Sequence, residues 1–189
     1  MHQSGFGYEK RPGRTPDFVG AKHVLALTQS QSSMTHSYTV MMCVPPGVRK
    51  FLPVLFITLQ EPNEIFGRLV KKSMFKASNL YVTASTSGKI TMELYSFFPH
   101  TNQRCIFLAD SLSTFSDQET VEGVKPEELE HEMITIPPKV AGQIQPLDVL
   151  CFPMFTGCFR KVTNWIFLNN QPAQVHHRYV ILKMHSLIY

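Results

Sequence analysis

Residues 105–109, Cys-Ile-Phe-Leu-Ala, form a wholly apolar run that ends directly at Asp110. A strand with no polar alternation has both faces covered, as in the middle of a parallel or mixed sheet. That requirement favours helices packed on a sheet over an all-helical bundle or an open antiparallel layer. It also puts a carboxylate at the C-terminal end of a buried strand, where α/β sheets bind ligands.

The rest of the chain supplies such a sheet. Residues 23–29 and 36–44 are β-branched or apolar runs and predict strands, with a turn at Pro45-Pro46-Gly47. Residues 51–59 predict a third strand, completing an antiparallel meander. The mixed, basic stretch 61–79 reads as loop or short helix, and 80–83 as a short extended piece. Ser87 or Thr91 would cap a helix carrying Ile90, Leu94, Phe97 and Phe98, ended by Pro99. The acidic stretch 116–132 reads as surface helix or loop, and Met133–Ile136 as a strand stopped by Pro137-Pro138. Pro146 before Asp148 suits a helix start, although Pro153 and Gly157 would make that helix imperfect. The last apolar piece is 179–189. The order is α/β, a meander leading into crossovers.

Charge is unevenly spread. The 189 residues carry a net +4, but residues 110–132 alone hold eight of the fourteen acids and sum to −7, leaving +11 elsewhere. A basic body favours polyanions such as nucleic acid. No run of about 18 apolar residues exists, which argues against a membrane span. The N-terminal residues lack the apolar core of a signal peptide. Cys43, Cys105 and Cys151 sit in apolar runs, and the four cysteines form no C-x-x-C pair, so buried thiols are expected rather than disulfides or zinc ligands.

Asp110 and Asp148 are the candidate chemical residues. Carboxylates at a strand end and a helix start can hold hard divalent ions through oxygen, and a pair of such ions activates water for phosphodiester cleavage. The plainer reading of each is a turn residue and a helix-dipole partner.

The segment ITIPPKVAGQIQPLDVLCF, following CIFLADSLSTF, resembles the DDE-type transposases of the pogo and Tigger branch of the mariner superfamily. Their endonuclease domain carries an apolar strand ending in Asp, then a PP…T…QPLD segment with the last acid. HQSGFGYEKRPGRT resembles the stretch around that family's first Asp, and THSYTVMMCV and TASTSGKIT resemble its next strands and helix start. The resemblance spans roughly residues 2–168. It implies an RNase H-like fold, a mixed β-sheet flanked by helices with three acids at one sheet face. Asp110 matches the second acid and Asp148 the third, 38 positions later. His2 stands where the first acid belongs. The resemblance further implies Mg2+ or Mn2+ as cofactor, DNA as partner and the nucleus as location. It divides the chain into an endonuclease domain over 1–170, with its first strand largely missing, and a C-terminal extension over 171–189. On this resemblance the upstream helix-turn-helix domains of such transposases are expected to be missing, and the helix between Glu93 and Cys105 to be short for the family.

The expected function is therefore a transposon-derived, domesticated domain that binds DNA without full catalysis. Neutral imidazole is a softer ligand than carboxylate and does not bridge two hard ions. Lys71, Lys72, Lys76, Lys89, Arg160 and Lys161 would touch phosphates. Two other readings compete: an active Mg2+-dependent endonuclease, and a protein-interaction module using the acidic 110–132 segment or an open sheet edge.

Weaker candidates read as structure. Gly5-Phe6-Gly7 and Thr86-Ser87-Gly88-Lys89 fit no complete phosphate-loop pattern. Ser111 and Ser113 have no partner histidine assigned by a motif. His176, His177 and His185 offer a metal reading, but packed or surface histidines are commoner. Phe152, Phe155, Phe159 and Ile166 are spaced as one helix face, which favours a core over base stacking.

Overall fold

The computed structural model describes residues 2–9, 18–23, 30, 36–43, 54–90, 105–109, 131–137 and 140–189. Four strands form one sheet in the order β1-β2-β3-β4: β1 is His2–Gly7, β2 Ser37–Met42, β3 Leu55–Gln60 and β4 Leu80–Ser85. β1, β2 and β3 run antiparallel in turn, and β4 joins β3 in parallel. The sheet is therefore mixed, and the fold is α/β. The helix α1, Arg68–Ser73, lies in the crossover between β3 and β4, since parallel neighbours cannot be joined by a tight turn.

The expected meander stands over β2 and β3, with the last strand shifted to 55–60. Its turn at 45–47 and the expected strand over 23–29 lie outside the described residues, except His23, which is in a bend. The apolar strand 105–109 is present as β5. Its partner is the parallel β6, His131–Thr135, and the pair is a separate two-stranded sheet among the described residues. Among the described residues β6 is the one neighbour of β5. His131 and Glu132, read from charge as surface helix or loop, are strand. The remainder of the acidic segment, with Asp110, Ser111 and Ser113, lies outside the described residues.

The expected helix start at Ser87 is a turn instead. Ser85 Oγ donates to Lys89 O at 2.8 Å, and Lys89 N donates to Ser87 Oγ at 3.3 Å. Gly88 takes φ +69°, and a Cβ there would stand 2.9 Å from Ser37 O. These hydroxyl-to-backbone bonds hold Ser87–Ile90 as a non-helical loop. Residues 91–100 lie outside the described set.

Beyond β6 come the single turn α2, Ala141–Ile144, a π-helical turn over Leu147–Cys151, and the long helix α3, Phe152–Leu168. Pro153 is accommodated in the first turn of α3, directly after the π-helical turn. Asn170 ends the helix at φ +47°. Its N–H donates to Phe167 O, and Gln171 N–H donates to Ile166 O. That double bond is the Schellman arrangement, with Asn in the left-handed position. The final helix, α4, is Arg178–Ile188.

The core forms between the sheet and these two helices. Tyr38, Val40 and Met42 of β2 and Leu55, Ile57 and Leu59 of β3 share one face and meet Phe152, Phe155, Ile181 and Leu182. Met41 and Phe56 on the opposite face are also buried, so the central strands are covered on both sides. Phe152, Phe155, Phe159 and Ile166 are all buried, as the helix-face spacing predicts.

Candidate functional site

β1 and α3 are laid side by side by aromatic contacts. His2, Ser4 and Phe6 point to one face of the strand, since side chains alternate. Phe6 packs edge-on against Phe155 and Phe159, with ring centroids at 6.2 and 6.0 Å. Four residues earlier on the strand, His2 meets Phe152 edge-on at 5.2 Å. Helix and strand thus run in step from His2 and Phe152 to Phe6 and Phe159.

The π-helical turn then sets Asp148. Phe152 N–H bonds to Leu147 O, five residues back, which widens the turn by one residue relative to an α-helix. Leu147 is buried in the core cluster, and Asp148 is left half-buried at the N-terminal end of α3. Its Oδ1 lies 2.7 Å from His2 Nε2. That is the length of a charge-assisted N–H···O bond, with the imidazole N–H donating. Side-chain exposure is 16% for His2 and 22% for Asp148, so the pair is shielded but not sealed.

The strand that begins at His2 and the helix that follows QPLD are therefore brought together. Asp110 lies outside the described residues, so its distance to either is not part of this geometry. Among the described residues, no three or more His, Cys, Asp or Glu side chains gather as a metal set. His2 and Asp148 offer one carboxylate and one imidazole already bonded to each other. Hard divalent ions take oxygen donors, typically from several carboxylates, carbonyls and waters. The two described residues do not make such a set.

The pair is also ill-placed as a general base. In serine-hydrolase triads the carboxylate holds one ring nitrogen and the other faces the reacting group. Here Asp148 holds Nε2 while Nδ1 is buried, so no ring nitrogen is presented to a substrate.

The basic candidates lie on three parts of the structure. Lys71 and Lys72 are exposed on α1 and Lys76 just after it; Lys89 is exposed in the turn after β4; Arg160 and Lys161 are exposed on α3. Trp165, near Arg160 and Lys161 in sequence, is 57% exposed.

The histidine group does not form a metal centre. His185 is fully buried, and its Nε2 lies 2.7 Å from Tyr38 Oη. Phe155 stacks on its ring at 5.4 Å, Phe159 lies at 4.7 Å, and Phe6 meets it edge-on at 5.3 Å. Burial drives the imidazole pKa down to about 3, so the ring is neutral at physiological pH. Burial also pushes the Tyr38 phenol well above its ordinary value. His176 and His177 instead line an open cleft of about 380 Å³ between α1 and the start of α4, with Tyr8, Ser73 and Arg178. Arg178 is anchored there by Glu61 at 2.5 Å.

Cys43 is buried and its thiol is pushed up to about 11 by desolvation, as an apolar run predicts. Cys151 is only partly buried and Cys158 is exposed; all three are free thiols. No described helix is long and apolar enough to cross a membrane.

The pairing of His2 with Asp148 has no signal in spacing or periodicity, since 146 positions separate them. The Tyr38–His185 bond was equally invisible.

A family model described as DDE superfamily endonuclease matches residues 35–186. The match takes in β2 through most of α4 and includes both Asp110 and Asp148, while His2 and β1 lie before it. No curated protein matches the chain, and no solved structure matches it. With well over half of its length matched, the chain belongs to the DDE superfamily of endonucleases.

Proposed function

We propose that this chain is a DNA-binding domain of transposase origin, from the pogo and Tigger branch, with an RNase H-like sheet and without full cleavage activity. The family match supplies the DNA-related function; DDE endonucleases generally use divalent metals. The observation that carries the loss of cleavage is the direct bond from His2 to Asp148. In the proposed alignment His2 takes the place of the first acid, and the last acid meets an imidazole where it would share cations with a second carboxylate. Asp110 and Asp148 are the remaining acids of the set.

The positive charge outside residues 110–132 is the attraction for DNA. Lys71, Lys72, Lys76, Lys89, Arg160 and Lys161 are free to meet phosphates at the surface, and each neutralised phosphate releases counterions. A nuclear location follows from a DNA partner.

The test has two arms. Retention on immobilised duplex DNA is expected to fall steeply with salt, and salt-independent or absent retention refutes the DNA reading. In a plasmid-nicking assay with Mg2+, the wild type is expected to be silent. Nicking that disappears in Asp110→Asn would establish an active endonuclease instead.

A further inference from the structure

We infer that His2 sets the metal response of this site: its bond to Asp148 closes the site to hard divalent cations, and a carboxylate at position 2 opens it. The inference rests on the proposed reading of Asp148 as the last acid of a DDE set, and it adds which single residue governs cation binding.

Three observations carry it. First, His2 Nε2 and Asp148 Oδ1 are 2.7 Å apart. Two donors bound at about 2.1 Å to one octahedral ion, at right angles, stand about 3 Å apart. The observed separation is that of a hydrogen bond, so the two groups face each other directly with no room for an ion between them. Second, the ring is held in place. Phe152 packs edge-on against it at 5.2 Å, and Phe152 is itself buried in the core. Turning the imidazole to offer a different nitrogen would disturb that packing. Third, the other nitrogen, Nδ1, is buried on the protein side and is not directed at Asp148. A cation must therefore separate the pair and accept nitrogen in place of oxygen.

Asp in place of His2 reverses each point. It brings a second carboxylate beside Asp148, and two like charges so close repel unless a cation lies between. The same contact that now satisfies Asp148 becomes a demand for a metal.

The test is direct Mn2+ binding to the whole chain, read from the loss of the free-ion electron paramagnetic resonance signal, with no DNA present. The wild type is expected to leave the signal unchanged. His2→Asp is expected to bind at least about tenfold more tightly, with the ion displaced by added Mg2+. Asp148→Asn in the His2→Asp background should abolish that gain. Wild-type binding as tight as that of His2→Asp overturns the inference, and so does a folded His2→Asp protein that gains no binding. Should His2→Asp fail to fold, the wild type decides alone against Asp148→Asn. Binding that this substitution removes overturns the inference, and no binding by either protein upholds it. Retention on DNA, measured on the same preparations without divalent ions, reports separately on the nucleic-acid reading.

Discussion

Tyr38 Oη and His185 Nε2 meet at 2.7 Å inside a ring of aromatic side chains, tying the second strand to the last helix across 147 positions of sequence. Neither group reaches water, so each depends on the other for its polar satisfaction.

The imidazole makes folding stability fall in acid. His185 has a folded pKa of about 3 against an ordinary value of 6.5, so between those pH values the unfolded chain binds a proton that the folded chain refuses. Its contribution is fully present above about pH 6.5 and is lost as pH falls toward 3. The slope approaches about 1.4 kcal/mol per pH unit. Urea unfolding at pH 7, 6 and 5 should show this loss, and the double variant Tyr38→Phe/His185→Phe should flatten it. An equal slope in the double variant would remove His185 as the cause.

Tyr38→Phe alone leaves the buried imidazole without its partner. The expected cost at pH 7 is about 1–3 kcal/mol, measured by chemical denaturation. A neutral result would mean that the hydroxyl bond contributes nothing net.

Asn79 and Ser186 form a two-bond clasp between the start of β4 and α4. Asn79 Nδ2 donates to Ser186 O at 2.9 Å, and Ser186 Oγ donates to Asn79 Oδ1 at 2.7 Å. Asn79→Ala should cost about 1–2 kcal/mol. Ser186→Ala, which removes one of the two bonds, should cost less; the reverse order would contradict this assignment.

Gly88→Ala should destabilise by about 1–3 kcal/mol. The new Cβ would stand 2.9 Å from Ser37 O on a backbone at φ +69°, so the edge of β2 or the turn must move. A melting temperature equal to wild type would show that this turn yields freely.

Thiol chemistry should separate the cysteines. Cys158 is exposed and Cys43 is buried with its thiol pushed up to about 11. A variant retaining only Cys158 should label rapidly with maleimide at pH 7, and one retaining only Cys43 should label on the timescale of unfolding.

The sequence exposed elements whose signals are local. The β-branched run of β2, the apolar run of β5 and the phenylalanine spacing of α3 each predict an element, and the two strands and the helix are present. What it hid was arrangement. The turn at Ser87 reads as a helix cap because the same hydroxyl serves either conformation. The π-helical turn at Leu147 leaves no compositional mark, yet it aims Asp148. The meeting of His2 and Asp148 has no local signal: the family resemblance expects an acid at position 2, not a bond from there to Asp148. Asp110 and most of the acidic segment lie outside the described residues.

The placement of α4 has a consequence for synthesis. Ile181, Leu182 and His185 fill the centre of the core, so the sheet faces that receive them are complete long before their cover leaves the ribosome. During translation, Val40, Leu55 and Ile57 are apolar surfaces awaiting a distant lid, the condition in which nascent chains aggregate or recruit chaperones. A chain stalled before residue 178 should therefore be held by a chaperone that releases it once the last helix emerges.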